Sequence, residues 1–334
     1  MIGGRDGAVA EAATSAGPPE APAPGGALSH LASRLRRNTT LLTGFGFLAA
    51  FVGVSVAAVV HFGGALDTPP SDPALVIGTA APSGPTLAHP FGTDPGLGVD
   101  ILSSLWRATP NDLVLVGSIL LIASVVGLLL GAWAGLVGGW IDLVALAAAD
   151  LLVGVPPFFL AVVLFLGVGP LYPTSDALPI FVLLFAFVLW PYYARPVRAV
   201  AQRTAAQPYV ESARAAGADT EQVLFRHILP NSLYPVLAQL PIDVFNVFFV
   251  LSVYPYVGCF SPQLIQPIAI TPYPTYPEYG ALLGYGACFG WQPIAAVDAW
   301  WSYVFPAAVI LAFGLMVVLL CDGLERHFGF IARR

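Results

Sequence analysis

Apolar residues along this chain gather into six long runs, at about 41–62, 113–137, 143–168, 177–193, 233–257 and 303–320. Each is close to the roughly 20 residues that an α-helix needs to cross the hydrocarbon core of a bilayer. The pattern predicts an all-α membrane protein with six transmembrane helices. The third run carries Asp150 and the pair Pro156-Pro157, which predicts a kink or break at that point. Polar stretches of two kinds separate the runs. Residues 63–110 and 258–302 are long and rich in Pro and Gly, whereas 138–142 is a tight Gly-Gly-Trp-Ile-Asp turn and 169–176 a short loop. The segment 195–231 differs from both, as a polar island holding five arginines.

Composition supports the same class. Of 334 residues, 57% are hydrophobic and 10% charged, against roughly 25% charged in a soluble domain. The mean hydropathy is +0.79, and lipid, not a protein core, absorbs that much apolar surface. Residues 1–27 are mainly Ala, Gly, Pro, Ser and Glu without periodicity and read as a disordered tail. The first apolar run starts too late and is too long for a secretory signal. Residues 28–40 form a short basic segment at the membrane surface. Two readings of it stay open: an amphipathic helix with Leu28, Leu31 and Leu35 on one face, or a basic flank of the first span. Residues 41–334 are the transmembrane domain.

Charge placement orients the chain. All thirteen cations are arginines. With six spans, twelve of them fall on one side: Arg5, Arg34, Arg36 and Arg37 before the first span, five in the island, and Arg326, Arg333 and Arg334 after the last. Only Arg107 lies opposite. The positive-inside rule then puts both termini and the island in the cytoplasm, and 63–110 and 258–302 outside, in a multi-pass protein of the cell membrane. A five- or seven-span count breaks this agreement. No repeat is visible by eye, which gives an inverted-repeat secondary transporter no support.

Inside the island, residues 209–216 are good helix formers. Gly217 can take the left-handed conformation that stops a helix. Asp219 or Thr220 can cap a second helix carrying Val223, Leu224, Phe225, Ile228 and Leu229, and Pro230-Asn231 then break toward the next span. Ala213 and Gly217 lie four apart, a spacing that shares a helix face and allows close approach. A short helix of small residues projecting into the cytoplasm has the shape of a docking element.

The string ESARAAG followed by RHILPN resembles the EAA loop of ABC importer permeases, and PYVESARAAGADTEQVLFRHILPN is similar to the C-type permease of di-/oligopeptide and nickel importers. Residues 89–105, 131–163, 277–286 and 300–328 resemble further blocks of that family in the same order. The resemblance covers about residues 30–330. It implies the type I importer permease fold and a passive role in transport. There is no G-x-x-x-x-G-K-[ST] here, so the chain does not cradle ATP phosphates itself; the resemblance implies a transport subunit that is not an enzyme and binds no cofactor of its own. ATP and Mg belong to two cytoplasmic ABC ATPase subunits. A second, homologous permease would share the path as a heterodimer, and an extracytoplasmic substrate-binding protein would deliver the solute. Carried onto this sequence, Glu211, Ser212, Ala213 and Gly217 are the ATPase-coupling positions, and Ile228, Leu229 and Pro230 anchor the loop's second half. Ser212 stands where the family usually has Ala. The implied solute is a peptide, with nickel or another small solute as the alternative.

Other polar residues are less decided. Gln239, Asp243 and Asn246 share one face of the fifth run and either line the translocation path or hydrogen-bond a neighbouring helix. Asp142 reads as a helix cap, and Asp150 as either structural or path-lining. Leu146-Ala147 stands where the family usually has Met-Arg, Leu251 replaces a frequent Glu, and 261–276 looks inserted. Cys259 and Cys288 fall in the second outer loop, where they either form a disulfide or are two separate small residues. No His, Cys or Asp spacing fits a metal. Two rival classes remain on the sequence alone: an ion-gradient-driven secondary transporter, and a receptor or scaffold without transport.

Overall fold

A computed structural model describes residues 38–62, 84–94, 99–168, 177–260, 278–290 and 299–327. Among these residues the chain is helical, without strands; an isolated bridge pairs Thr93 with Asp100. The helices are α1 (Thr39–Phe62), α2 (Ile101–Val137), α3 (Gly139–Val153), α4 (Pro157–Val168), α5 (Ala177–Ala205), α6 (Pro208–Ala215), α7 (Thr220–Val223), α8 (Leu229–Phe260), α9 (Tyr279–Gly290) and α10 (Trp301–His327). A π-helical turn, Leu224–Ile228, joins α7 to α8. Five described helical stretches are long and apolar enough to cross a membrane: Thr39–Phe62, Ile101–Val137, Pro179–Ala205, Thr220–Val253 and Trp301–His327. The third apolar run is split between α3 and α4 by a turn at Gly154–Pro156, the break that Pro156-Pro157 predicts.

Three boundaries differ from the sequence pattern, each for a physical reason. Helix α2 starts at Ile101, within residues read as loop. Asp100 caps it, its side chain accepting a hydrogen bond from the Ser103 N–H at 2.8 Å, and Pro110 is tolerated inside it. The first three turns are helical but not apolar, so hydropathy misses them. Within 258–302, likewise read as loop, residues 279–290 form α9. Pro230 does not break the chain: the helix continues through it into α8. The π-turn absorbs the missing N–H, because Leu229 N–H already donates five residues back to the Leu224 carbonyl. Asn231 Nδ2 then donates to the His227 carbonyl at 2.6 Å.

Helices α2 and α5 form the centre of the packing. Gly127, Gly131 and Gly135 lie on one face of α2, and α5 lies directly against them. A Cβ at Gly127 would sit 2.5 Å from Tyr193 Cβ, one at Gly135 would sit 2.7 Å from Ala201 Cβ, and one at Gly131 would run into Ala194. Around this seam Ile119, Val188, Leu189 and Tyr193 are fully buried. Helix α1 packs on α10 through the same device: a Cβ at Gly323 would lie 2.6 Å from Leu41 Cα. Asn38 Nδ2 donates to the Gly323 carbonyl at 2.7 Å. Helix α1 also meets α2, where Trp106 Nε1 donates to the Val54 carbonyl at 3.1 Å; its outward face, as at Val60 and Val56, is exposed and apolar. Helix α9 closes the bundle against α2 and α8: Tyr279 N–H donates to Asp112 Oδ2 at 2.8 Å, and the Tyr279 hydroxyl bonds Thr109 Oγ1 at 2.6 Å. At the far end from the island, Trp301 Nε1 donates to the Thr93 carbonyl at 2.9 Å, tying the 84–94 segment to α10.

Candidate functional site

The polar island folds as a short protruding helix between two long ones. Helix α5 runs on to Ala205, beyond the fourth apolar run, so the first part of the island is a continuation of that span. Gln207 then breaks the helix with extended backbone, and Pro208 starts α6, where its missing N–H costs nothing. Helix α6 ends at Gly217, whose φ is +94°. The end is a complete Schellman arrangement: Ala218 N–H donates to the Ala213 carbonyl at 3.0 Å and Gly217 N–H to the Arg214 carbonyl at 2.9 Å. Gly217 therefore lies past the helix end instead of on a common face with Ala213. The space around its Cα is open, so backbone conformation, not crowding, is what calls for glycine here. Asp219, and not Thr220, caps α7, its side chain accepting from Gln222 N–H at 2.7 Å.

Burial divides this loop into an inner and an outer face. Val210, Val223, Leu224 and Ile228 are buried against the bundle. Glu211, Ser212, Arg214, Ala215 and Gly217 are exposed, and Ala213 is half-buried. Of the three residues assigned to anchor the second half, Ile228 is fully buried and Leu229 packs partly on the core. Pro230 is exposed, in the first turn of α8. The Ser212 hydroxyl is spent within the helix, donating to the Pro208 carbonyl at 2.9 Å. Two aromatics belong to the exposed face without having been singled out by motif: Phe225 is exposed, and Tyr209 is exposed with its ring 5.7 Å from that of His227.

The polar face of the fifth run looks inward. Asp243 is fully buried, and its Oδ1 accepts from Gln239 Nε2 and Asn246 Nδ2, each at 3.1 Å. Tyr193, equally buried on α5, interacts with the same carboxylate. In this conformation Asp243 faces a packed neighbour helix and is enclosed. Asn246 also borders an open groove of about 670 Å³ between α8, α9 and α10, with Phe245, Phe249, Ser252, Gly284 and Ile310. Asp150 does not stand alone: it forms an ion pair with Arg195 of α5. Asp142 pairs with Arg198 of α5 through both carboxylate oxygens, the Nη2–Oδ2 contact being 2.6 Å. In the sequence these arginines are accounted for by sidedness and by contact with an ATPase or anionic lipid, not by these acids. Two acids within an apolar run are the signal that cations should be sought at matching depth. The side chains of Cys259 and Cys288 lie outside the described residues, as does the whole of 261–276. Among the described residues Cys321 is a free, buried thiol, and no three His, Cys, Asp or Glu gather to hold a metal.

Residues 127–329 match the family model described as the binding-protein-dependent transport system inner membrane component. The chain is 28% identical over 254 residues to the probable D,D-dipeptide transport system permease protein DdpC of Escherichia coli (strain K12), covering 76% of this chain and 77% of that one. It is 26% identical to a putative peptide permease protein of Brucella suis biovar 1 (strain 1330) over 92% of each chain. A second protein of that strain, a putative peptide transport system permease protein, is 30% identical over 72% of this chain and 73% of its own. The loop 195–231 and the buried seam of α2 and α5 both lie inside the matched region, and the chain belongs to the family of binding-protein-dependent transport system inner membrane components, the membrane permeases of ABC transporters.

Proposed function

We propose that this chain is a transmembrane permease subunit that imports peptides by alternating access, driven by ATPase subunits on separate chains. The observation that carries the reading is the α6–Gly217 element: an exposed, eight-residue helix held between two long helices. An exposed helix rigidly joined to membrane-crossing helices can receive a push from a partner and pass it on. In this reading Glu211, Ser212, Ala213 and Gly217 meet a groove of the ATPase, with Ile228 and Leu229 seating the loop on the bundle. ATP and Mg are bound and used by the ATPase pair. A second permease, forming a heterodimer, and an extracytoplasmic binding protein complete the transporter.

Helices α3 and α4 together form the remaining crossing, giving six spans with both termini in the cytoplasm. That count is supported by the arginine distribution, since an odd number of crossings would divide the arginines between the two sides. Peptide as the solute is supported by the names carried by the relatives. Gln239, Asp243 and Asn246 form a hydrogen-bonded polar cluster on α8, with Asn246 beside an open groove.

The test uses the assembled transporter in vesicles. Gly217→Trp is expected to insert normally and to abolish ATP-dependent peptide uptake, because an indole at the exposed loop tip blocks docking. Uptake at the unmodified rate by Gly217→Trp protein present at the normal level would overturn the coupling assignment. Uptake that persists without ATP and collapses with a protonophore would instead identify a gradient-driven carrier.

A further inference from the structure

Helix α3 is bounded by two breaks. At its start Gly138 and Gly139 have φ of +67° and +69°, a conformation that other residues take only at a cost. At its end Gly154–Pro156 separates it from α4. Among its described side chains Ala149 alone is buried, in a small cluster with Trp190 and Ala194 of α5. Set against this thin apolar contact are the two ion pairs, Asp142–Arg198 and Asp150–Arg195, both directed to α5. Helix α5 in turn is continuous from Ala177 to Ala205 and reaches α6 across only Ala206 and Gln207. Backbone continuity cannot force α3 to follow α5, since both of its ends are turns. Ala149, with Leu152 packed partly on the same cluster, makes a small apolar contact, and the two ion pairs add a link to α5 near each end of α3.

We propose that Arg195 and Arg198 are positioning residues for transport: through Asp150 and Asp142 they make α3 move as one body with α5 and so with the coupling loop. This rests on the permease reading given above. Displacement of α6 tilts α5, and α3 follows because the two charge pairs hold it, bringing the apolar outer face of α3 (Leu143, Val144 and Leu151) along. With the pairs gone, α5 still answers the ATPase while α3 lags, so hydrolysis proceeds but solute movement does not follow.

The experiment measures peptide taken up per ATP hydrolysed by the full transporter in proteoliposomes. In the R195Q/R198Q protein the ratio is expected to fall about ten-fold, within the roughly 5–150-fold range of site-to-site coupling, while ATP hydrolysis stays within about two-fold. D142N/D150N, which leaves α5 and the loop untouched, should do the same. The exchanged pair D142R/R198D should recover a large part of the ratio, whereas a merely structural role predicts that uptake and hydrolysis fall together with the amount of assembled complex. An unchanged ratio in both double variants overturns the proposal. A second measurement needs no charge removed: spin labels at Leu151 and Phe187 should keep their separation between ATP-free and ATP-bound states. A change of more than about 5 Å, nearly one helical turn, also overturns it. If the unmodified transporter shows no ATP-dependent uptake at all, the permease reading fails instead. Uptake by the unmodified protein with normal coupling in the variants removes only this inference.

Discussion

Helix α5 meets α2 on one side and α3 on another, and the two contacts are built from opposite materials. Toward α2 it offers small side chains and bare backbone to three glycines, at distances where not even a Cβ fits. Toward α3 it offers two guanidinium groups to two carboxylates across a narrow apolar contact. Close packing of small residues gains dispersion and excludes lipid, but it tolerates no change of shape. Two ion pairs, one near each end of α3, tie that helix to α5 over a small apolar area. The first contact suits a body that must not deform, and the second a joint that must pass on force.

The contrast can be broken most severely on the glycine side. Gly131→Leu places a branched side chain where the Ala194 backbone lies, an overpacking at or above the usual ~1–3 kcal/mol. The expected outcome is little folded protein in the membrane and a lowered melting temperature in detergent. On the ionic side the effect should be smaller. Removing Arg198 as Arg198→Ala leaves Asp142 without its partner, and both are only partly exposed, at 25% and 16%. A double-mutant cycle of R198A with D142A in detergent melting should give a coupling of about 1 kcal/mol, the upper end for exposed pairs. The same cycle on Arg195 and Asp150, exposed at 38% and 56%, should give less, at ~0–1 kcal/mol. A larger coupling at the outer pair than at the Asp142 pair would contradict this ranking by burial. Gly217→Ala meets no neighbour but must hold a left-handed backbone, a local cost of about 1 kcal/mol. It should appear as faster amide exchange around α6 with global melting unchanged. Ser212→Ala loses only a bond back to Pro208 and should stay within about 0.5 kcal/mol of the parent in the same melt.

What the sequence made legible followed from rules that act locally. The apolar runs mark the hydrophobic stretches of α1, α2, α5, α8 and α10, and Gly217 marks a helix end because few other residues adopt that backbone. Where the sequence misled, a distant partner had changed the local rule. Residues 101–112 are helical although they include Arg107, Asn111 and Asp112: Asp100 caps their start, and Asp112 accepts the first N–H of α9, 167 positions away. Pro230 looks like a stop, yet the π-turn before it has already rearranged the hydrogen bonding. The acids of α3 read as a cap and an ambiguous polar residue. Their partners lie 56 and 45 positions further on, in a segment whose arginines already had a sufficient explanation in sidedness.

The π-turn has a mechanical consequence as well. By letting the helix run through Pro230, it makes the second half of the 195–231 loop the start of a single rod, Thr220–Val253, 34 residues long. At 1.5 Å per residue that rod is about 50 Å from end to end, so tilting it by about 5° at the loop swings its far end by about 4 Å. The far end is where Phe249, Ser252 and Val253 border the open groove. A small tilt at the loop end thus corresponds to a movement about the width of a side chain at the groove.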